Sequence, residues 1–252
     1  MNPTRSVSTI AVLAVLTLGT AKAEFIGLDI GAQKPPPALS GSLIDDSAGF
    51  DLVDDLDVED SVQNSMVLIL EHPIPALPNI RYSGFELDSS GASTLDSNLQ
   101  FGGTNFSSGD QVVSTFDLSQ DDIVLYYQLA GSNVDLDLGV DLKRFDGEIS
   151  MSGASSTRVD IDETIPLLYL SARFDWPNSG FYVGADINSN IIDLGLSNSR
   201  AEDSTIRLGY DSGTGLGVEG GFKYYSLELD DGNNLDTDLR YDGIFLNGYY
   251  NF

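Results

Sequence analysis

VDLDLGVDL, residues 134–142, decides the reading of this chain. Val134, Leu136, Leu138, Val140 and Leu142 occupy alternate positions, with Asp135, Asp137, Gly139 and Asp141 between them. A strand turns successive side chains to opposite faces, so one face of this stretch is aliphatic and the other carries three carboxylates. Asp is a poor strand former. Its repetition at period two requires that one side of the strand be wet and charged while the other meets an apolar phase.

The same period recurs along the chain. Ile26, Leu28 and Ile30 alternate with Gly27, Asp29 and Gly31; Met66, Leu68 and Leu70 share a face opposite Glu71. Ile123–Leu129, Leu168–Phe174, Phe181–Asn188, Ile206–Tyr210, Leu216–Tyr225 and Ile244–Phe252 alternate likewise. Asn79–Leu87 is the weakest: its Ile80/Tyr82 phase is lost near Gly84, where a bulge is expected. These stretches predict about ten strands, or eight if the Asn79–Leu87 region fails.

The connections alternate in length. Short ones fall at Pro73–Pro78, Gly131–Asn133, Asp175–Ser179 and Asp211–Thr214, and long polar ones at roughly residues 35–61, 88–119, 146–163, 193–203 and 229–239. Short turns at one end and long loops at the other are the layout of an all-β, antiparallel up-and-down transmembrane β-barrel of the bacterial outer membrane, with short periplasmic turns and long acidic extracellular loops. A soluble sandwich or lipocalin-like barrel would also alternate. The polar face argues against it, because its charges are of both signs. Asp29, Glu71, Asp135, Asp137, Asp141, Asp186 and Glu219 face the same way as Arg81, Lys143, Arg173, Arg207 and Lys223. These form the expected lumen charge network, far nearer balance than the whole chain, since unpaired charges in a narrow interior are poorly solvated. Tyr126, Tyr169, Tyr182, Tyr225 and Tyr249 fall on that face and would help fill the lumen.

The start of the chain reads as an export signal. Arg5 precedes the apolar run Ile10–Leu18, too short for a spanning helix of roughly 20 residues, and Ala21-Lys22-Ala23 is a cleavage pattern. Residues 1–23 are therefore expected to be a cleaved signal peptide and residues 24–252 a single barrel domain. With 252 residues, 12 Lys plus Arg, 39 Asp plus Glu and a net charge of -27, the chain excludes nucleic acid as a partner. It has no Cys and one His, His72, which removes thiolate and multi-His metal sites.

The last strand ends Leu246-Asn247-Gly248-Tyr249-Tyr250-Asn251-Phe252. It resembles the C-terminal β-signal read by the outer-membrane assembly machinery, with Leu246, Tyr250 and Phe252 at the signal positions. Glu71-His72-Pro73-Ile74-Pro75-Ala76-Leu77-Pro78-Asn79 resembles the EHPxPxLPN segment of a proteobacterial family of outer-membrane β-barrel proteins. That resemblance implies the fold and the Gram-negative outer membrane, with its lipids and lipopolysaccharide as surroundings. The family has no assigned activity, so it implies nothing further. In physical terms the three prolines remove backbone donors and fix φ in a tight, extended turn.

Function is less legible. His72 lies at a short turn, away from an outer rim where a lipid-modifying or proteolytic site would need it, so no catalytic residue and no cofactor are assigned. Residues 45–60, DDSAGFDLVDDLDVED, hold eight acids. Asp54, Asp55, Asp57 and Glu59 offer hard oxygen ligands but lack the glycine and spaced glutamate of an EF-hand, so a solvated loop is expected, with at most weak divalent-cation binding. The expectation is a barrel of structural or interaction type with a side-chain-filled lumen. A small, slightly cation-preferring channel is the alternative, and an outer-leaflet lipid-modifying enzyme the least favoured.

Overall fold

The structure is a computed structural model, and it describes residues 27–34, 38–45, 48–59, 65–72, 74, 76–130, 133–190, 197–230 and 235–251. The expected signal peptide and Phe252 lie outside these residues. The described residues form β1 (Gly27–Lys34), β2 (Ala38–Asp45), β3 (Ala48–Asp51), β4 (Val58–Glu59), β5 (Ser65–Glu71), β6 (Asn79–Phe85), β7 (Asp88–Thr94), β8 (Leu99–Phe101), β9 (Thr104–Phe106), β10 (Gln111–Asp117), β11 (Gln120–Ala130), β12 (Val134–Ser152), β13 (Ser156–Asp175), β14 (Phe181–Ser189), β15 (Arg200–Asp211), β16 (Leu216–Asp230) and β17 (Leu235–Asn251). The fold is all-β, and its strands run antiparallel, up and down.

The main ladder runs β1, β5, β6, β11, β12, β13, β14, β15, β16, β17, each strand paired with the next, and β17 pairs in turn with β1. The sheet curls so strongly that one face meets itself: the Tyr225 hydroxyl of β16 donates to Gln120 Oε1 of β11 at 2.7 Å.

Three of the expected long loops are largely strand. β7 and β10 continue the β6–β11 hairpin in one register, Phe85 opposite Gln120 and Asp88 opposite Asp117. The Leu118 amide bridges the break, donating to the Leu87 carbonyl at 2.9 Å. β2 continues β1 along β17, with Lys34 opposite Leu246 and Ala38 opposite Asp242. β12 and β13 pair without interruption from Val134/Phe174 to Ser152/Ser156, through the whole of residues 146–152 that had been expected to leave the sheet. Strands of 19 and 20 residues are twice what a membrane requires, roughly 9–11 residues.

The extra length has the opposite polarity. On β12 the exposed face reads Val134, Leu136, Leu138, Val140, Leu142, then Arg144, Asp146, Glu148. The enclosed face reads Asp135, Asp137, Gly139, Asp141, Lys143, then Phe145, Gly147, Ile149, Met151. β13 inverts at the same height: Leu168, Leu170 and Phe174 are outward below, Arg158, Asp160 and Asp162 outward above, and Ile161, Ile165 and Leu167 are buried within. β17 passes from outward Asp238 and Arg240 to outward Ile244, which is 80 % exposed, and Leu246.

Below the inversion the protein is apolar outside and ionic inside. Above it the arrangement is that of a water-soluble protein. Its core gathers Leu43, Phe50, Leu52, Leu56 and Val58 from the expected acidic loop with Phe101, Phe106, Phe116, Phe145, Ile149, Leu227 and Tyr241. The acidic stretch is therefore only half solvated: Asp51, Asp54, Asp55 and Asp57 face out while its aliphatic residues anchor the core.

The inversion also explains Asn79–Leu87. β6 keeps its register through Phe85 against both neighbours, and no bulge occurs at Gly84. Phe85 and Leu87 point inward because the chain has entered the upper layer. The irregularity in this part of the sheet lies elsewhere, in β11 between Gln128 and Ala130.

Candidate functional site: the enclosed ionic face

Below the inversion the enclosed face is a chain of ion pairs and tyrosines held by facing strands. Nearest the short turns, the Arg173 guanidinium bonds Asp175 Oδ1 at 2.7 Å and also Asp211, and it stacks on the Tyr182 ring at 3.6 Å. Tyr249 donates to Asp211. One step deeper, Arg207 pairs with Asp186 and, through Nε, with Glu219 Oε2 at 3.2 Å. Glu219 also accepts from the Tyr182 hydroxyl at 2.6 Å and from Asn247 Nδ2 at 2.9 Å. On the opposite wall Tyr126 donates to Glu71 Oε1 at 2.9 Å and packs edge-on against Tyr169.

The deepest pairs lie against the apolar core. Lys143, 0 % exposed, bonds Asp122 Oδ1 at 2.8 Å beneath the Tyr225 ring; Lys223 bonds Asp203 Oδ2 at 2.8 Å. Asp141 is fully buried beside them, and neither of its carboxylate oxygens has a hydrogen-bond partner among the described residues. A lysine with no solvent exposure needs a direct counter-ion, and Asp122 supplies it.

The structure places Glu71, Arg81, Asp135, Asp137, Asp141, Lys143, Arg173, Asp186, Arg207, Glu219 and Lys223 on this face. Asp29 lies in β1 opposite Ile69, with its side chain outside the described residues. Sequence reasoning missed four acids that complete the pairs: Asp122, Asp175, Asp203 and Asp211. Each sits just beyond one end of a stretch whose alternation is legible, Asp122 and Asp203 before it and Asp175 and Asp211 after it. Parity carried past those ends finds them, since Asp203 shares the phase of Arg207, and Asp175 that of Arg173.

His72 organises its turn. Its ring Nδ1 accepts from the Ile74 amide at 3.2 Å, which leaves Nε2 to donate to the Pro78 carbonyl at 3.1 Å. Its own amide donates to Asn79 Oδ1 at 3.0 Å. In the acidic stretch, Asp51 Oδ1 accepts from the Val53 and Asp54 amides at 2.9 and 2.8 Å, and Asp55 Oδ2 from the Asp51 amide at 2.8 Å. These carboxylates cap their own turn. Among the described residues no three His, Cys, Asp or Glu converge as metal ligands, and Asp54, Asp55 and Asp57 are not brought together into such a group.

Two chambers open within the enclosed face. The narrow one, about 160 Å³, is lined by Arg81, Asp186, Asn188, Lys223 and Asn247 among others. The wide one, about 530 Å³, is lined by Glu71, Asp135, Asp137, Asp175 and Asp211 and reaches the short-turn residues Ser212, Gly213 and Gly215.

No family model matches the chain, and no curated protein matches it. Among solved structures it is similar to the outer membrane protease OmpT from Escherichia coli, at 12 % identity over 94 % of this chain and 99 % of that one, with a TM-score of 0.46. It is similar to the translocator domain of the autotransporter NalP from Neisseria meningitidis, at 9 % identity over 90 % and 89 %, TM-score 0.45. The toluene transporter TodX of P. putida follows at 11 % identity over 91 % and 90 %, TM-score 0.33. Likenesses at this level identify no family and lend no activity.

Proposed function

We propose that this chain is an integral β-barrel of the Gram-negative outer membrane, closed by the ten strands of the main ladder, and that it serves as a structural or interaction scaffold rather than as a pore. The polarity inversion carries the reading. Large apolar side chains such as Leu138 (40 % exposed), Leu208, Leu216 and Ile244 stand outward while Lys143 is buried and Arg207 and Lys223 are largely enclosed. Water would reverse that arrangement; hydrocarbon favours it. The outward run Val134–Leu142 covers nine residues, the lower end of the roughly 9–11 with which a tilted strand crosses the apolar layer. Trp176, Phe181, Tyr210 and Tyr250 stand outward near the short turns, where an aromatic girdle meets the membrane surface.

The upper layer supports the scaffold over the channel. Phe85, Phe116, Phe145, Ile149, Ile165, Leu227 and Tyr241 belong to one buried apolar cluster enclosed by the upper strands. An ion crossing it would shed its hydration without gaining a polar partner. In this reading the short turns face the periplasm and the upper layer stands at the cell surface, the placement of short and long connections in outer-membrane barrels.

Refolding the chain in detergent, confirming a heat-modifiable folded band and recording planar-bilayer conductance tests this. A folded band and silent bilayers are expected. Stable conductance steps overturn the scaffold reading in favour of the channel; failure to fold in any lipid or detergent overturns the barrel.

A further inference from the structure

The two chambers of the enclosed face form one pit, for Ile69, Arg81, Tyr169, Arg173, Arg207 and Tyr249 line both. Its wide end opens among the short turns, and its narrow end reaches Phe85 of the apolar core. A solute that enters must leave the way it came.

Hydrogen bonding at the narrow end is out of balance. Asp186 Oδ1 and Asn247 Oδ1 have no donor among the described residues, although these residues are only 7 % and 9 % exposed. Asn188 Oδ1 in the same wall has none either. Four cations line this chamber: Arg207 is engaged by Asp186 and Glu219, Lys223 by Asp203, Arg173 by Asp175 and Asp211, and Arg81 lies against the Tyr169 hydroxyl. Buried acceptors are normally satisfied, so the group that completes this wall must donate.

Charge in the wide chamber points the same way. Five carboxylates, Glu71, Asp135, Asp137, Asp175 and Asp211, line it against the three guanidiniums of Arg81, Arg173 and Arg207; Asp175 and Asp211 share Arg173, and Glu71, Asp135 and Asp137 have no basic ion-pair partner among the described residues. A low-dielectric pit with such a mouth concentrates cations. A metal ion needs ligands converging on a point, and among the described residues no three acidic side chains converge. An extended donor suits the spread acceptors better. The tyrosine walls add ring faces that attract such groups, as Tyr182 already holds Arg173.

We propose that the pit is a binding site for a small organic cation, a guanidinium or primary ammonium compound, whose N–H groups reach Asp186 Oδ1 and Asn247 Oδ1 at the floor. The carboxylates of Glu71, Asp135 and Asp137 draw it in. The proposal rests on the barrel reading, which places the mouth in the periplasm.

Calorimetry on the full mature chain, refolded in detergent, tests it with methylguanidinium and its uncharged isostere methylurea. Methylguanidinium is expected to give saturable heat and methylurea none. Asn247→Leu, which removes a floor acceptor, is expected to weaken binding at least about tenfold, and Asp137→Asn at the mouth to weaken it several-fold. Asp186→Asn serves where Asn247→Leu lowers the folded fraction. Equal heats from the two probes, no heat from a folded barrel, or unchanged affinity in the floor variants overturns the site. Absence of the heat-modifiable band in the parent chain overturns the barrel reading instead.

Discussion

Tyr182 lies across Gly209, its cross-strand partner: a Cβ built on Gly209 would stand 2.1 Å from the tyrosine ring. The same device recurs where Tyr249 covers Gly217, its register pair. The glycines let large rings lie flat inside a narrow sheet, and the rings shield the bare backbone. Their hydroxyls then reach the ionic chain, Tyr182 to Glu219 and Tyr249 to Asp211.

Gly209→Ala should therefore lift Tyr182 off its platform, lengthen its bond to Glu219 and disturb its stack with Arg173. A loss of about 1–3 kcal/mol is expected from overpacking, read as a lower urea midpoint for the folded band. Gly248→Ala is the control, because its Cβ would meet nothing within 4 Å. Equal effects at the two positions would remove the ring-on-glycine account.

The inversion predicts opposite tolerances along a single strand. Leu138→Arg, on the outward face of the apolar belt, should cost about 2–4 kcal/mol near the midplane. Ser150→Glu, outward on the same strand but above the inversion and opposite Arg158, should stay within about 0.5 kcal/mol. Ile149→Arg, one residue away and 1 % exposed, should prevent folding of the upper layer. Urea titration of the folded band in lipid vesicles ranks the three. A large cost at Ser150 would move the membrane boundary up the strand.

The strands were legible because alternation of period two survives any detail of packing. The upper layer was not, for a reason visible in β12. A reader following Val134 to Leu142 sees apolar residues at even positions, then meets Arg144 and Asp146 there and concludes that the strand has ended. The strand continues, and the apolar phase passes to Phe145, Ile149 and Met151. A change of surroundings from hydrocarbon to water looks the same as a loop when one face alone is followed. The misplaced bulge at Gly84 and the missed Asp122 and Asp203 have the same origin. The ionic face was half legible: the alternation placed the basic residues, but which carboxylate meets which cation depends on register across strands.

A row of like charges crosses the outer surface of the upper layer. Asp88, Asp117, Glu148 and Asp160 stand directly opposite one another on β7, β10, β12 and β13. Arg158 bonds Glu148 at 3.2 Å and Asp160 at 3.1 Å, so Asp88 and Asp117 are left facing each other. Partial burial, then Asp117 and Glu86, push the Asp88 carboxyl above its usual range. A raised acid disfavours the folded state when ionised: the penalty is full at neutral pH and fades as pH falls through the carboxylate range. Asp117→Asn, which keeps an acceptor for Ser119, should stabilise by about 0.2–1 kcal/mol at pH 7. That gain should vanish below the ordinary carboxylate pKa. A gain that persists in acid would assign the effect to packing.

His72 and Asn79 staple the turn between β5 and β6 from both sides, and the pairing of the two strands begins at Leu70 and Ile80. The three hydrogen bonds replace donors and acceptors that a proline-rich turn cannot satisfy from its own backbone. His72→Ala frees the Ile74 amide and the Pro78 carbonyl, and Asn79→Ala frees the His72 amide; each should cost about 0.5–1.5 kcal/mol. Because both hold one turn, the double variant should lose less than the two single losses together. The same variants should open the turn to protease added to the folded protein in detergent, with the rest of the barrel still heat-modifiable. Protease resistance equal to the parent chain in both single variants would show that the prolines alone hold the turn.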